Sequence, residues 1–393
     1  MLFSFLPRVV LLLGLLLAGM TCALRSGSDA VLVIRQGGTY TGRYHSTHSG
    51  QACVQIATTE PVVLENCEFS GPGLLVDARM GGANLTIRNC RGIGELPTVD
   101  NQARGRFLEL NDGVQLLAEH NYLEHTGGLL VYRWQGNGTP SQTITVRYNQ
   151  ARNIDGRYRN GGGAKVSFLQ LNEVHGVENI SISWNEVVNI PDQSLVEDNI
   201  NLHNSSGTAR HPLVVQHNYI QGAYPVPATA PKFTGSGITT DGDASSALTT
   251  TAYVEAHHNT VVSTCNAAMN IAAGHHNYYH DNYLVTSGLL PDGRRLAAFY
   301  AGTAIFNAYE KPNDVFFANR MHHNTIGFVS WGRQSPYPDR HDLSIDACTP
   351  CTETQHLPQP ITLQLEQQAH KLWLHQVRQT GQTVGLSHSL ASN

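Results

Sequence analysis

A short strand ending in asparagine recurs along this chain, and no other feature restricts its fold as strongly. The segments read VVLENC (62–67), LTIRNC (85–90), QLLAEHNY (115–122), ITVRYNQ (144–150) and ISISWNE (180–186). They continue as LVVQHNY (213–219), AYVEAHHNT (252–260), HNYYHDNY (276–283) and VFFANRMHHNT (315–325). The marker asparagines are Asn66, Asn89, Asn121, Asn149, Asn185, Asn218, Asn259, Asn282 and Asn324, at spacings down to 23 residues. So small a unit buries no core alone, whereas stacking each unit on the last buries one continuously. Stacked parallel strands lie about 4.8 Å apart, and each position repeats above its counterpart. Amides at a repeated turn then bond up and down as a ladder, which satisfies turn groups that are costly to bury alone. Cys67 and Cys90 follow the first two markers and stack likewise, as a disulfide or as two small apolar groups.

Between the markers lies a second strand set: RFLELND (106–112), LLVYRWQ (129–135), VSFLQLNEV (166–174), NINLHN (199–204), GITTDGD (237–243), AMNIAAG (268–274) and TAIFNAYE (303–310). Its period-2 alternation puts one face inside and one outside. Several short strands per turn, rich in Gly, Asn and Thr, predict an all-β, right-handed parallel β-helix. A β-sandwich or propeller is the alternative, but a propeller blade needs about 40 residues or more.

The ends differ from this middle. Arg8, the apolar run VVLLLGLLLAG (9–19) and the small residues around TCA form a secretory-signal pattern with cleavage after Ala23. The alternative is lipid attachment at Cys22. The run is too short for a membrane span with those flanks. The segment 360–382 reads as a helix near 361–380, with Leu365, Ala369, Leu372 and Val377 on its apolar face and Gly381 as a stop. It covers the solenoid or its end, or binds a partner. The predicted organisation is a signal peptide over 1–23, a β-helix over 24–335 and a tail over 336–393.

Charged residues are 14% of the chain, the net charge is −5, and only four lysines occur. No basic patch argues for nucleic acid. The lone Cys348-x-x-Cys351 pair lacks the four ligands of a structural zinc site, so it reads as a disulfide or two thiols. These features predict an exported, soluble monomer.

The segments GGTYTGRY (37–44), EPVVLENCEFSG (60–71), EDNINLHNSSGT (197–208), PLVVQHNYIQGAYP (212–225) and GSGITTDGD (235–243) resemble bacterial right-handed β-helix repeat proteins of the pectate-lyase-like superfamily. The resemblance spans roughly residues 30–330. It implies the fold, and a range of activities on polysaccharides: lyases, hydrolases and epimerases. Proteins similar to this often carry a lysine where this chain has His203-Asn204.

Stacking brings distant residues together. With Ile200 aligned on Ile238, Asn201 and His203 face outward, His203 lies beside Asp241, and Asn270 falls in the Asn201–Thr239 column. A one-residue slip would turn every side chain over. A lyase acting on a uronan must neutralise the sugar carboxylate, remove the C5 proton and protonate the leaving oxygen. His203, Asp241 and Glu197 are the catalytic candidates; Arg133, Arg210, Asn201 and Asn270 are the substrate-binding ones. Lys165 and Lys232 are alternative cations, and Asp198 and Asp243 are candidates for Ca²⁺. Two of the same carboxylates would also serve a glycoside hydrolase, and a non-catalytic glycan-binding or adhesion protein is the third reading. Against all three stands plain turn chemistry, which favours Asp, Asn and Gly without any function. The histidine runs at 256–259, 274–282 and 321–324 invite a metal, although stacked turns explain His120, His217, His258 and His323.

Overall fold

A computed structural model describes residues 31–232, 235–334, 336–344 and 348–387; the predicted leader lies outside them. The chain winds as a right-handed parallel β-helix with one short C-terminal helix. One ladder of ten strands forms the first face, from Leu32–Ile34 through Asp198–His203 and Ser236–Asp241 to Thr303–Ile305. Two further parallel ladders form the other faces and merge in the long strand Pro61–Gly71. Antiparallel strand pairing is confined, among the described strands, to the hairpin of Thr325–Gln334 with Pro338–Arg340.

Alternation explains the core. On the first face Leu108, Leu129, Leu169, Ile200, Ile238 and Met269 stack in one inward column. Each is at most 1% exposed. Their neighbours one residue on, Glu109, Leu130, Gln170, Asn201, Thr239 and Asn270, form an outward column. The register of Ile200 on Ile238 and of His203 on Asp241 is the one the alternation predicts.

The corner between the second and third faces is a single residue in the left-handed region. Asn66, Asn89, His120, Tyr148, Trp184, His217, His258, Asp281, His323 and Glu353 occupy it, with φ of 50–57°. Non-glycine residues adopt that conformation at a cost of about 1–2 kcal/mol each, so something must hold the corner. The next residue does so. From Asn121 through Asn149, Asn185, Asn218, Asn259 and Asn282 to Asn324, each side-chain amide donates to the following Oδ1 at 2.9–3.0 Å. Each backbone N–H from Asn121 to Asn282 donates to that same following oxygen.

The first two rungs differ from the expectation. Arg88 pairs with Glu119, so Asn89 matches His120 and Cys90 matches Asn121. Asn66 and Asn89 are therefore corner residues, and thiols stand in the ladder. The Cys90 N–H donates to Asn121 Oδ1 at 3.0 Å, and the Cys67 N–H points at Cys90 Sγ at 3.4 Å. Asparagine tolerates left-handed φ as readily as it builds ladders, so residue type alone could not separate neighbouring registers. Cys67 and Cys90 stack without a disulfide, whereas Cys348 and Cys351 form one.

The C-terminal helix spans Leu363–Gln379 and is capped by Thr362, whose side chain accepts from the Leu365 N–H. Its buried face is Glu366, Ala369, Trp373 and Val377. Leu372, expected on that face, is 61% exposed, because the larger Trp373 takes the contact with the solenoid. The helix lies along the third face rather than over the last coil. Trp373 Nε1 donates to the His217 carbonyl at 2.7 Å, and His370 Nε2 meets Glu186 Oε1 at 2.7 Å. Beyond it, the Gly385 N–H donates to the Tyr148 carbonyl and the Ser387 N–H to Asn89 Oδ1. The tail thus runs back across the coils to one of the first. No described helix is long and apolar enough to cross a membrane.

Candidate active site

Neighbouring strands of the first face, Asp198–His203 and Ser236–Asp241, present a compact polar cluster. Asn201 is its hub. Its Nδ2 donates to Asp198 Oδ2 at 2.8 Å and to Asp241 Oδ2 at 3.2 Å, which bounds the gap between those two oxygens at the sum of the distances. Thr239 Oγ1 donates to Asp198 Oδ1 at 3.0 Å. Asp198 is buried, and loss of hydration pushes its carboxyl up to about 6; the Asn201 amide opposes this, and the charges of Asp241 and Glu197 add to it. Asp241 is more open. Its Oδ1 accepts from the Tyr309 hydroxyl at 2.6 Å and from the Gly242 N–H at 2.9 Å. Partial burial, and donation to Asp241, raise the Tyr309 phenol above its ordinary value, so it keeps its proton at neutral pH.

Glu197 accepts from Lys165, Nζ to Oε1 at 2.8 Å. That contact raises the lysine pKa, and the charges of Asp241 and Asp198 contribute. Lys165 also lines a pocket of about 530 Å³ on the same side of the solenoid, with Asp77, Arg79, Arg104, Arg106 and Glu109. Four of these six side chains are cationic. Arg79 is held bidentately by Asp77, and Arg104 by Asp155 and the Gly94 carbonyl. Arg106 donates to the Gly127 carbonyl at 3.0 Å, and burial lowers its pKa. No ion pair with a carboxylate involves Arg106 among the described residues.

Two buried atoms at the cluster lack a hydrogen-bond partner, His203 Nδ1 and Asn270 Oδ1. Unsatisfied buried groups are rare in native proteins and call for a functional explanation. His203 is Asp241's strand neighbour, but no hydrogen bond or ion pair between the two side chains joins them among the described residues; Asn201, Tyr309 and Gly242 take the aspartate's oxygens.

The remaining candidates lie elsewhere. Asp243 is exposed beyond the end of its strand and accepts from the Asn204 amide, which lowers its pKa. Asp198 stands buried at the start of the neighbouring strand, with both oxygens facing donors. Among the described residues no group of three or more ligand atoms gathers around Asp198 and Asp243, whereas Ca²⁺ takes six to eight oxygens. Arg133 occupies a corner with φ of 57°, pairs with Asp112 at 2.7 Å and lies over the Tyr132 ring. Arg210 is exposed on the loop leading from Asp198–His203 to Leu213–Gln216, and Lys232 reaches the Val226 carbonyl. None of these three bonds to the cluster among the described residues.

Sequence reasoning did not single out Tyr309, Arg104 or Arg106. Tyr309 falls in the segment 303–310 read as a strand, but the strand ends at Ile305, so stacking does not place the tyrosine. The two arginines had one readable sign: RGR, at 104–106, lies one residue ahead of the first-face strand Leu108–Gly113.

No known family profile matches the chain, and no curated protein does. Among solved structures, it is similar to a mannuronic-acid-specific polysaccharide family 6 lyase from human gut microbiota. That likeness has 13% identity and a TM-score of 0.39 over 89% of this chain and 93% of the other. At that score it carries nothing about chemistry here.

Proposed function

We infer that this is an exported, carbohydrate-active protein that cleaves a uronic-acid-containing polysaccharide by β-elimination on the first face of its solenoid. The observation that carries this reading is the position of Lys165. It joins a pocket richer in arginine and lysine than in acids to a cluster able to hold and move protons.

A uronan presents a carboxylate on each uronic residue. Arg106 and Lys165 attract those carboxylates and draw electron density from the adjacent C5–H bond. His203, which is half-buried, takes the C5 proton as general base. The electron pair forms the C4–C5 double bond and expels the O4 glycosidic oxygen. That oxygen collects a proton from the Tyr309–Asp241 pair, which holds the phenolic hydrogen at neutral pH. Asn201 fixes Asp241, and Glu197 fixes Lys165, so the two are positioning residues. No ion is required of Asp198 and Asp243 in this scheme.

Incubation with a panel of uronans tests it, because elimination leaves an unsaturated uronate that absorbs in the ultraviolet. New reducing ends without that absorbance would favour the glycoside-hydrolase reading instead. One observation supports that second reading: the close Asp198–Asp241 pair, with one carboxyl held protonated towards neutrality. Retention of polysaccharide with no product would mark a binding protein and overturn both.

A further inference from the structure

The histidine runs form a grid on the far side of the molecule from the first face. At the corner between the second and third faces, His257, His280 and His322 stack in one outward column, followed by Thr352. The corner residues beside them, His258, Asp281, His323 and Glu353, share one left-handed conformation and stack in the next column. Coil stacking therefore presents rows of ligand-type side chains about 4.8 Å apart.

The rows are not equivalent. His280 is fully engaged: its Nδ1 meets Asp281 at 2.7 Å and its Nε2 meets Glu255 at 3.1 Å. His257 and His258 are turned on one another, Nδ1 to Nδ1 at 2.8 Å. Only the last row pair, among the described residues, brings three donor atoms together, all within 4.8 Å of one another: His322, His323 and Glu353. His323 Nε2 contacts Glu353 Oε2 directly, and His322 Nε2 lies 3.9 Å from the same oxygen.

We propose that His322, His323 and Glu353 bind a divalent transition ion of the Zn²⁺ type and so tie the last coil to the one before it. Two imidazole nitrogens and one carboxylate oxygen suit such an ion, whereas Ca²⁺ or Mg²⁺ wants oxygen alone. His322 Nδ1 lies 2.8 Å from Thr352 Oγ1. With that hydroxyl accepting, the proton sits on Nδ1 and the Nε2 lone pair faces the site, as metal-bound histidines are held. The Cys348–Cys351 disulfide restrains the chain just before Thr352 and Glu353. A shallow pocket of about 530 Å³, lined also by His258, Asp281 and Gln355, opens beside His323, one of the three ligands. A bound ion would take the place of the direct His323–Glu353 contact.

The site lies apart from the polysaccharide reading and stands or falls without it. The test uses the full untagged chain, stripped with chelator and titrated with ZnCl₂ by calorimetry, and with Co²⁺ for its visible spectrum. The expected result is a resolvable site of one equivalent with a four-coordinate Co²⁺ spectrum. It should weaken roughly a hundredfold in His323→Ala and at least about tenfold in Glu353→Gln, while His257→Ala leaves it unchanged. Glu353 is 62% exposed at its side chain, so that variant keeps its fold even where His323→Ala loses stability. No binding by the parent, or equal binding by Glu353→Gln and His322→Ala, overturns the proposal.

Discussion

Asn185 and Asn201 sit on adjoining coils, and each uses its side-chain amide to tie one coil to the next, yet they do opposite things. Asn185, fully buried, donates to Asn218 Oδ1 and the Val146 carbonyl and accepts from Asn149. Every group it faces is neutral, and every bond is repeated one coil further on. Asn201, 6% exposed, donates to two carboxylates, and nothing like that contact recurs along its column. Repetition marks structure in this fold, and a break in repetition marks chemistry. Abundance of asparagine says nothing by itself.

The largest effect expected from this contrast is on the ladder side. Asn185→Ala strands two donors of Asn149 and takes a donor away from Asn218 Oδ1 and from the Val146 carbonyl, and should lower unfolding stability by about 4 kcal/mol. The check is a chemical-denaturation curve, with activity per folded molecule unchanged. On the groove side, His203→Ala should cut turnover of a uronan by about a hundredfold and shift the denaturation midpoint little; unaltered turnover would remove His203 from the mechanism.

A pH dependence separates the two regions next. The ladder amides do not titrate, but Asp198 does, with its carboxyl raised from 3.8 to about 6 by burial. Between those values the folded chain holds a proton that the unfolded chain has released. Stability is therefore fullest below the unfolded value and declines as pH rises through about 6, by about 3 kcal/mol. Asp198→Asn should abolish that decline, so it gains on the parent from pH 4 to 7 in parallel thermal melts. The reverse trend would mean that Asp198 is ionised in the folded chain. Lys165→Ala should lower kcat/KM about tenfold through a fall in kcat, as loss of an interaction that strengthens when charge develops beside C5 does. The smallest effect belongs to Cys90→Asn, which puts an amide where the ladder already offers Asn121 Oδ1 as an acceptor. It should change stability by less than about 1 kcal/mol, measured by denaturant midpoint.

Much of the scaffold was legible because coil stacking is so strict. Once Ile200 was set on Ile238, His203 had to fall beside Asp241, and Asn270 in the column of Thr239, as they do. Legibility ended where stacking ends. Tyr309, Arg104 and Arg106 come from connections between strands, whose course no periodicity fixes. The Lys165–Glu197 contact likewise joins two residues just outside their strands. Cys67 and Cys90 were misplaced by one position because two adjacent sites favour the same amino acid for different reasons. On the helix, Ala369 and Val377 are buried as expected, but Leu372 is not, because the face centres on Trp373 and takes in the polar Glu366, which accepts from the Ser287 N–H.

A coiled chain whose turns touch only their neighbours can come apart like a spring drawn out from one end, since each turn released costs only its own contacts. Here the free end is tied back. From the last coil the chain returns over Tyr219 and the His217 carbonyl to Tyr148 and Asn89, far earlier in the winding. Drawing out the final turn therefore means first peeling this tether from coils that are still intact. The molecule should come undone in one step rather than turn by turn, and cutting the chain before residue 361 should let the spring unwind from its loose end.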